Sequence, residues 1–165
     1  MPTFDAENQV RFSKESRPFV AVSRNGELVP EAKQVIALAA KYRLTLETGH
    51  PSPAEGLMII REARRQGVEH IVVTHAMLAP VRMNIAQIRE SATLGAYIEF
   101  VYNGLFGPEK QYEARDYANA MRAIGAKSVL WGATWGRGRT RCIPMRWPLS
   151  SRCCAKKAWR RRISI

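Results

Sequence analysis

From Pro30 to Trp131 two hydrophobic rhythms alternate, apolar positions at helical spacing giving way to short apolar runs, and the change repeatedly follows a glycine. Pro53 to Gln66 (PAEGLMIIREARRQ) reads as a helix. Ser52 and Glu55 stand in capping-box spacing, Pro53 occupies the first turn, and Gly67 can close the end in the left-handed conformation. His70 to His75 (HIVVTH) follows as a strand. Asn84 to Leu94 is a second helix, ending at Gly95, with Ala96 to Tyr102 (AYIEFVY) as its strand. Pro108 to Ile124 is a third, ending at Gly125 before Lys127 to Trp131 (KSVLW). Upstream, Pro30 to Arg43 runs as a helix into Leu44 to Thr48 (LTLET). Helix and strand taking turns in this way predict an α/β domain of repeated βα units with a parallel sheet. Phe19 to Val22, before the turn signal Asn25-Gly26, reads as a further strand or as one arm of a hairpin. Residues 1–17 show no period and are expected to be an irregular, extended lead-in.

Length and composition narrow this picture. The 165 residues make one domain and fall short of the roughly 250 that a complete eight-stranded barrel needs. At 46% hydrophobic and 24% charged the chain is of globular composition. No apolar run approaches the ~20 residues of a membrane span, and Met1 to Val10 lacks the basic start and apolar centre of a secretory signal, so a cytoplasmic location without membrane contact is expected. The net charge of +12 is unevenly spread. All 14 acidic residues lie at or before Asp116, and 10 of the 26 basic ones lie between Arg137 and Arg162. Residues 1–131 thus hold 16 basic against 14 acidic side chains, a net of only +2. Residues 132–165 contain no carboxylate, all three cysteines and three of the four tryptophans. The organisation predicted is a lead-in over 1–17, a βα domain over 18–131 and a basic tail of low order over 132–165.

In parallel α/β folds the carboxyl ends of strands and the loops that follow them carry the reactive groups. Two histidines stand there, His50 at the end of LETGH and His75 at the end of HIVVTH. Strand alternation puts Leu46, Thr48 and His50 on one face and Ile71, Val73 and His75 on one face, so adjacent strands deliver two imidazoles to a common mouth if those faces point inward. Neutral imidazole is a good ligand for zinc or manganese, and each ring could equally serve a loop carbonyl as a structural hydrogen-bond partner. Glu99 and Asn103, in and just beyond the next strand, are candidates for a carboxylate behind a ligand or for a substrate contact. His70 lies at the opposite end of its strand and is expected to be structural or exposed, while Glu47 points away from His50 and reads as a surface or helix-packing residue.

The stretch TGHPSPAEGLMIIREARRQGVEHIVVTHA resembles the second half of a metal-dependent amidohydrolase-type (TIM-barrel) protein of an uncharacterised bacterial branch, and the resemblance covers about residues 18–131. It implies that LTLET, HIVVT, AYIEFVY and KSVLW are the fifth to eighth strands of a (β/α)8 barrel, here represented by its half. It further implies that His50 and His75 are metal ligands, that the cofactor is a divalent zinc or manganese ion, and that the intact family hydrolyses an amide, ester or lactone of a small molecule. The chain departs from that pattern. No His-x-His pair supplies first-strand ligands, and Gly132, Ala133 and Thr134 stand where an aspartate is expected after the eighth strand. Without a full coordination sphere or a general base, this chain is expected to lack activity as it stands.

The tail continues neither the repeat nor the resemblance. Read in a shifted frame with GC-rich codons, it can encode an aspartate just beyond the eighth strand, a Pro-Asp helix start, an apolar helical face and a glycine stop, which points to a frameshift product. Read as it stands, ten basic residues interleaved with Trp135, Trp147 and Trp159 offer phosphate attraction and base stacking, so a nucleic-acid-binding module is the alternative function. The exposed sheet edges of a half-barrel would favour a homo-oligomer. Cys142, Cys153 and Cys154 fit no metal pair, redox motif or disulfide framework, and the run from Gly132 to Gly138 lacks the Lys-Ser/Thr ending of a phosphate loop.

Overall fold

A computed structural model describes residues 1–132. The expectations about the tail beyond Gly132, namely its low order, its shifted frame, its cysteines and its nucleic-acid binding, lie outside the described residues. Among the described residues five α-helices and six strands follow in the order α1 (Glu7–Ser13), β1 (Ser23–Arg24), β2 (Glu27–Leu28), α2 (Pro30–Lys41), β3 (Leu46–Glu47), α3 (Pro53–Arg65), β4 (Ile71–Val73), α4 (Ile85–Thr93), β5 (Tyr97–Val101), α5 (Ala114–Ile124) and β6 (Val129–Gly132). Strands β3, β4, β5 and β6 form one parallel sheet in sequence order, each neighbouring pair joined through a helix. This is the α/β repeat that the hydrophobic rhythm predicts. The sheet is an open four-stranded one, and no closed barrel forms among the described residues.

Local chemistry explains where the helices begin. The Ser52 hydroxyl accepts from the N–H of Glu55, whose carboxylate accepts from the Ser52 N–H at 2.9 Å, completing the predicted capping box of α3. Asn84 and Gln87 make the same reciprocal pair at the start of α4. The predicted third helix is shorter than its pattern. Pro108 sits instead in a 3-10 turn (Gly107–Glu109), because the Gly104 carbonyl accepts from the N–H groups of both Gln111 and Tyr112 and holds this stretch folded back.

Helix α1 corrects the expectation for residues 1–17. Seven residues are too few to show a period, and the helix is held by its neighbours. The Val20 N–H donates to the Asp5 carbonyl at 2.7 Å, and the Glu7 N–H donates back to Val20. Val20 therefore forms only an isolated bridge to Ala6, and the hairpin around Asn25-Gly26 starts later than predicted, with Ser23 opposite Leu28. Met1 and Pro2 lie along the outer edge of β3, where the terminal amine donates to the Glu47 carbonyl and the Pro2 carbonyl accepts from His50. That edge of the sheet is covered by Met1 and Pro2. Gly49 makes the approach feasible: its φ is +75°, and a Cβ there would stand 2.1 Å from the Pro2 oxygen.

Leu46, Ile71, Val73, Ile98 and Phe100 share one sheet face and are buried against Ile36, Ile59, Ile60, Ile88 and Tyr117 from the helices. At the amino ends of the strands a single guanidinium ties the structure together. Arg64 donates to the carbonyls of Leu94, Val68, Glu69 and Gly95, joining the end of α3 to the turns before β4 and β5. These contacts lie at the end of the sheet opposite the two histidines of the strand ends.

Candidate functional site

The core-facing positions revise the facial argument for the two histidines. Ile71 and Val73 point at the helices, so strict alternation would send His75 there as well. It does not arrive there, because regular strand stops at Val73 and His75 itself adopts a left-handed backbone with φ of +47°. The turn re-aims the ring towards Glu99, which alternates with the core residues Ile98 and Phe100 and so lies on the other face. Gly49 breaks the alternation in the same manner ahead of His50. The two rings still meet, with centroids 5.6 Å apart and planes inclined at 50°.

Two threonines carry the pairing of β3 and β4 to this rim. Regular parallel pairing ends as the Thr48 N–H reaches the Val72 carbonyl at 2.9 Å. Beyond it the Thr74 N–H donates to the Thr48 hydroxyl at 3.2 Å, and the Gly49 N–H donates to the Thr74 hydroxyl at 3.1 Å. Both side chains are buried. Hydroxyls replace backbone carbonyls here and keep the segments leading into the histidines together.

Each imidazole has an acceptor oxygen near Nδ1. For His75 it is Glu99 Oε2 at 2.9 Å, lying off the N–H direction, so the contact is close without being an aligned hydrogen bond; the same oxygen accepts from the His75 backbone N–H at 3.1 Å. For His50 it is Gln9 Oε1 at 3.0 Å. Burial, reinforced by the neighbouring His75, pushes the His50 pKa below its ordinary value and favours the neutral, ligating form. Desolvation raises the Glu99 carboxyl, but the side-chain and backbone contacts with His75 outweigh it and hold Glu99 below the usual carboxylate range. Phe4 packs edge-on to His50 at 5.8 Å.

Of the residues singled out in the sequence, His50, His75 and Glu99 come together. Asn103 lies four residues beyond Glu99, half-buried in the 3-10 turn that follows β5. His70 and Glu47 are exposed, as expected. A groove of 690 Å³ beside α1, lined in part by Arg11, Phe19, Arg24 and Glu55, includes neither imidazole.

Residues 1–99 match a model of a family of unknown function, DUF6282. The chain belongs to that family. No curated protein and no solved structure matches it. The DUF6282 match runs from the lead-in through His50 and His75 to Glu99, so it spans the whole cluster and includes α1, which periodicity missed. Asn8 and Gln9, which contact the His50 carbonyl and ring, were left unmarked by the sequence. An aperiodic polar pair on a short helix carries no signal of the loops it will touch.

The spacing of the rings can be compared with that of two metal ligands. Two imidazoles on one tetrahedral ion, with metal–nitrogen bonds of about 2.1 Å, hold their ring centres roughly 5–6 Å apart. The 5.6 Å between the two ring centres lies in that range, a separation that two rings in ordinary contact also have. Among the described residues no group of three or more His, Cys, Asp or Glu side chains is placed to share an ion, so a third ligand is not supplied by them. No helix among the described residues is long and apolar enough to cross a membrane.

Proposed function

We propose that this DUF6282 chain carries the imidazole half of a metal-dependent hydrolase centre. His50 and His75 hold one divalent ion, zinc or manganese, and Glu99 orients His75 from behind while raising its basicity as a ligand. A bound ion of this kind polarises a carbonyl oxygen and lowers the pKa of its bound water, which is the chemistry for cleaving an amide, ester or lactone of a small molecule. The chain's own contribution is to place two neutral donors at one rim. Glu99 is engaged by His75, and Gly132 stands where the resemblance places the aspartate that would take a proton from water. Metal binding without turnover is therefore the behaviour expected of this chain.

One observation carries the reading: two imidazoles from successive βα loops meet with ring centres 5.6 Å apart although neither follows the regular strand. Calorimetric titration of the full chain with zinc and with manganese tests it. Binding of one ion per chain is expected, lost in both His50→Ala and His75→Ala and kept in His70→Ala. Affinity unchanged by the first two substitutions would remove the metal and, with it, the hydrolase reading.

A further inference from the structure

The amino-terminal segment has no part in the reading above, yet two consecutive side chains of α1 reach both histidine-bearing loops. Asn8 Nδ2 has two hydrogens and donates one to the His50 carbonyl and the other to the Pro80 carbonyl, each at 3.2 Å. Pro80 belongs to the turn that leaves His75, so Asn8 spans the loops after β3 and β4. Its neighbour Gln9 contacts the His50 ring itself. In the structure the Gln9 amide has Nε2 on the Ser13 hydroxyl, to which it donates at 2.9 Å, and Oε1 towards His50 Nδ1.

A neutral imidazole has one N–H and one lone pair. An oxygen that can only accept, set 3.0 Å from Nδ1, requires the proton to be on Nδ1 and leaves the lone pair on Nε2. Glu99 sets a carboxylate oxygen 2.9 Å from Nδ1 of His75, off hydrogen-bond alignment, and by its charge favours a proton on that nitrogen. An amide from the start of the chain and a carboxylate from β5 thus do one job on the two rings.

We propose that Gln9 is a positioning residue, which fixes the His50 ring in its Nδ1–H tautomer while Asn8 locks the two histidine loops to each other, so that α1 is a working part of the imidazole site. The inference deepens the metal-centre reading. Its tautomer claim can nevertheless be tested without any metal.

The experiment uses the full chain with ¹⁵N-labelled histidine, stripped of metal and held above neutral pH, and reads each ring's tautomer from two-bond proton–nitrogen correlations. His50 and His75 of the parent are expected to show the Nδ1–H pattern. Gln9→Leu loses that pattern at His50 and keeps it at His75, whereas Gln9→Glu, which retains an acceptor, keeps both. A parent His50 in the Nε2–H form overturns the proposal, as does an Nδ1–H pattern that survives in Gln9→Leu. If Gln9→Leu does not fold, the parent and Gln9→Glu spectra still decide. In a second arm, removing such a partner is expected to weaken zinc binding by about 10- to 100-fold. A parent that shows the Nδ1–H pattern but binds no zinc defeats the metal reading alone; zinc bound equally by parent and Gln9→Leu defeats the positioning role alone.

Discussion

Replacing Thr48 by valine removes one oxygen from the rim and almost no volume. In the folded chain that oxygen is the acceptor for the Thr74 N–H, at 3.2 Å, and Thr48 is only 1% exposed. Valine fills the same space, so the change creates no cavity and leaves a buried N–H without its partner, a loss of about 1–3 kcal/mol. In a domain of this size each kcal/mol lowers the melting temperature by roughly 2–4 °C, and a middle value of about 2 kcal/mol predicts a fall of ~4–8 °C. Urea unfolding followed by circular dichroism should show a lower midpoint with an unchanged slope, the mark of lost stability without altered compactness. Thr74→Val strands the Gly49 N–H and should behave alike. Because the two threonines form one connected cross-link, the double variant should fall short of the sum of the single effects. A Thr48→Val chain within about 0.5 kcal/mol of the parent, the range of an inert surface change, would refute the claim that these hydroxyls carry the strand pairing to the histidines.

Two further predictions concern the opposite end of the sheet and the flank of α5. Arg64→Ala should cost about 2–4 kcal/mol in denaturant unfolding, because one guanidinium serves four carbonyls, and Arg64→Lys should recover little of it since an ammonium cannot span them; recovery to the parent midpoint by lysine would contradict this. Burial, and then the neighbouring Tyr112, push the Tyr117 hydroxyl, which donates to the Val101 carbonyl, up to about 12 from its ordinary 10.0. A raised folded-state pKa favours the protonated fold, so this stability is present below pH 10.0 and lost as pH rises through about 12. Spectrophotometric titration should find one tyrosine ionising later than the others, absent in Tyr117→Phe, and simultaneous ionisation of all five in the folded chain would count against it.

How far the site was legible depends on the distance over which each residue acts. Ser52 and Glu55 announce the start of α3 because a capping box closes within one turn, and that helix start sets the loop carrying His50. Glu99 was visible as a carboxylate in the next strand over. Gln9 was not, since its role depends on a contact 41 positions away in the chain. The facial assignment failed for a different reason. Alternation presumes continuous extended backbone, and a left-handed residue interrupts it at Gly49 and again at His75. The first is a glycine and could have been suspected; the second is a histidine, for which this conformation is uncommon.

Local rules, read along the chain alone, were enough to determine a parallel αβ repeat, its helix caps and the rim on which two histidines stand, because capping, glycine stops and apolar spacing act within a few residues. Only the folded chain decided which sheet face meets the helices, that His75 turns across to Glu99, and that the chain's first residues cover the edge of β3 and brace the imidazoles. Those outcomes depend on hydrogen bonds between segments tens of residues apart, and such pairs exist only once the sheet has assembled.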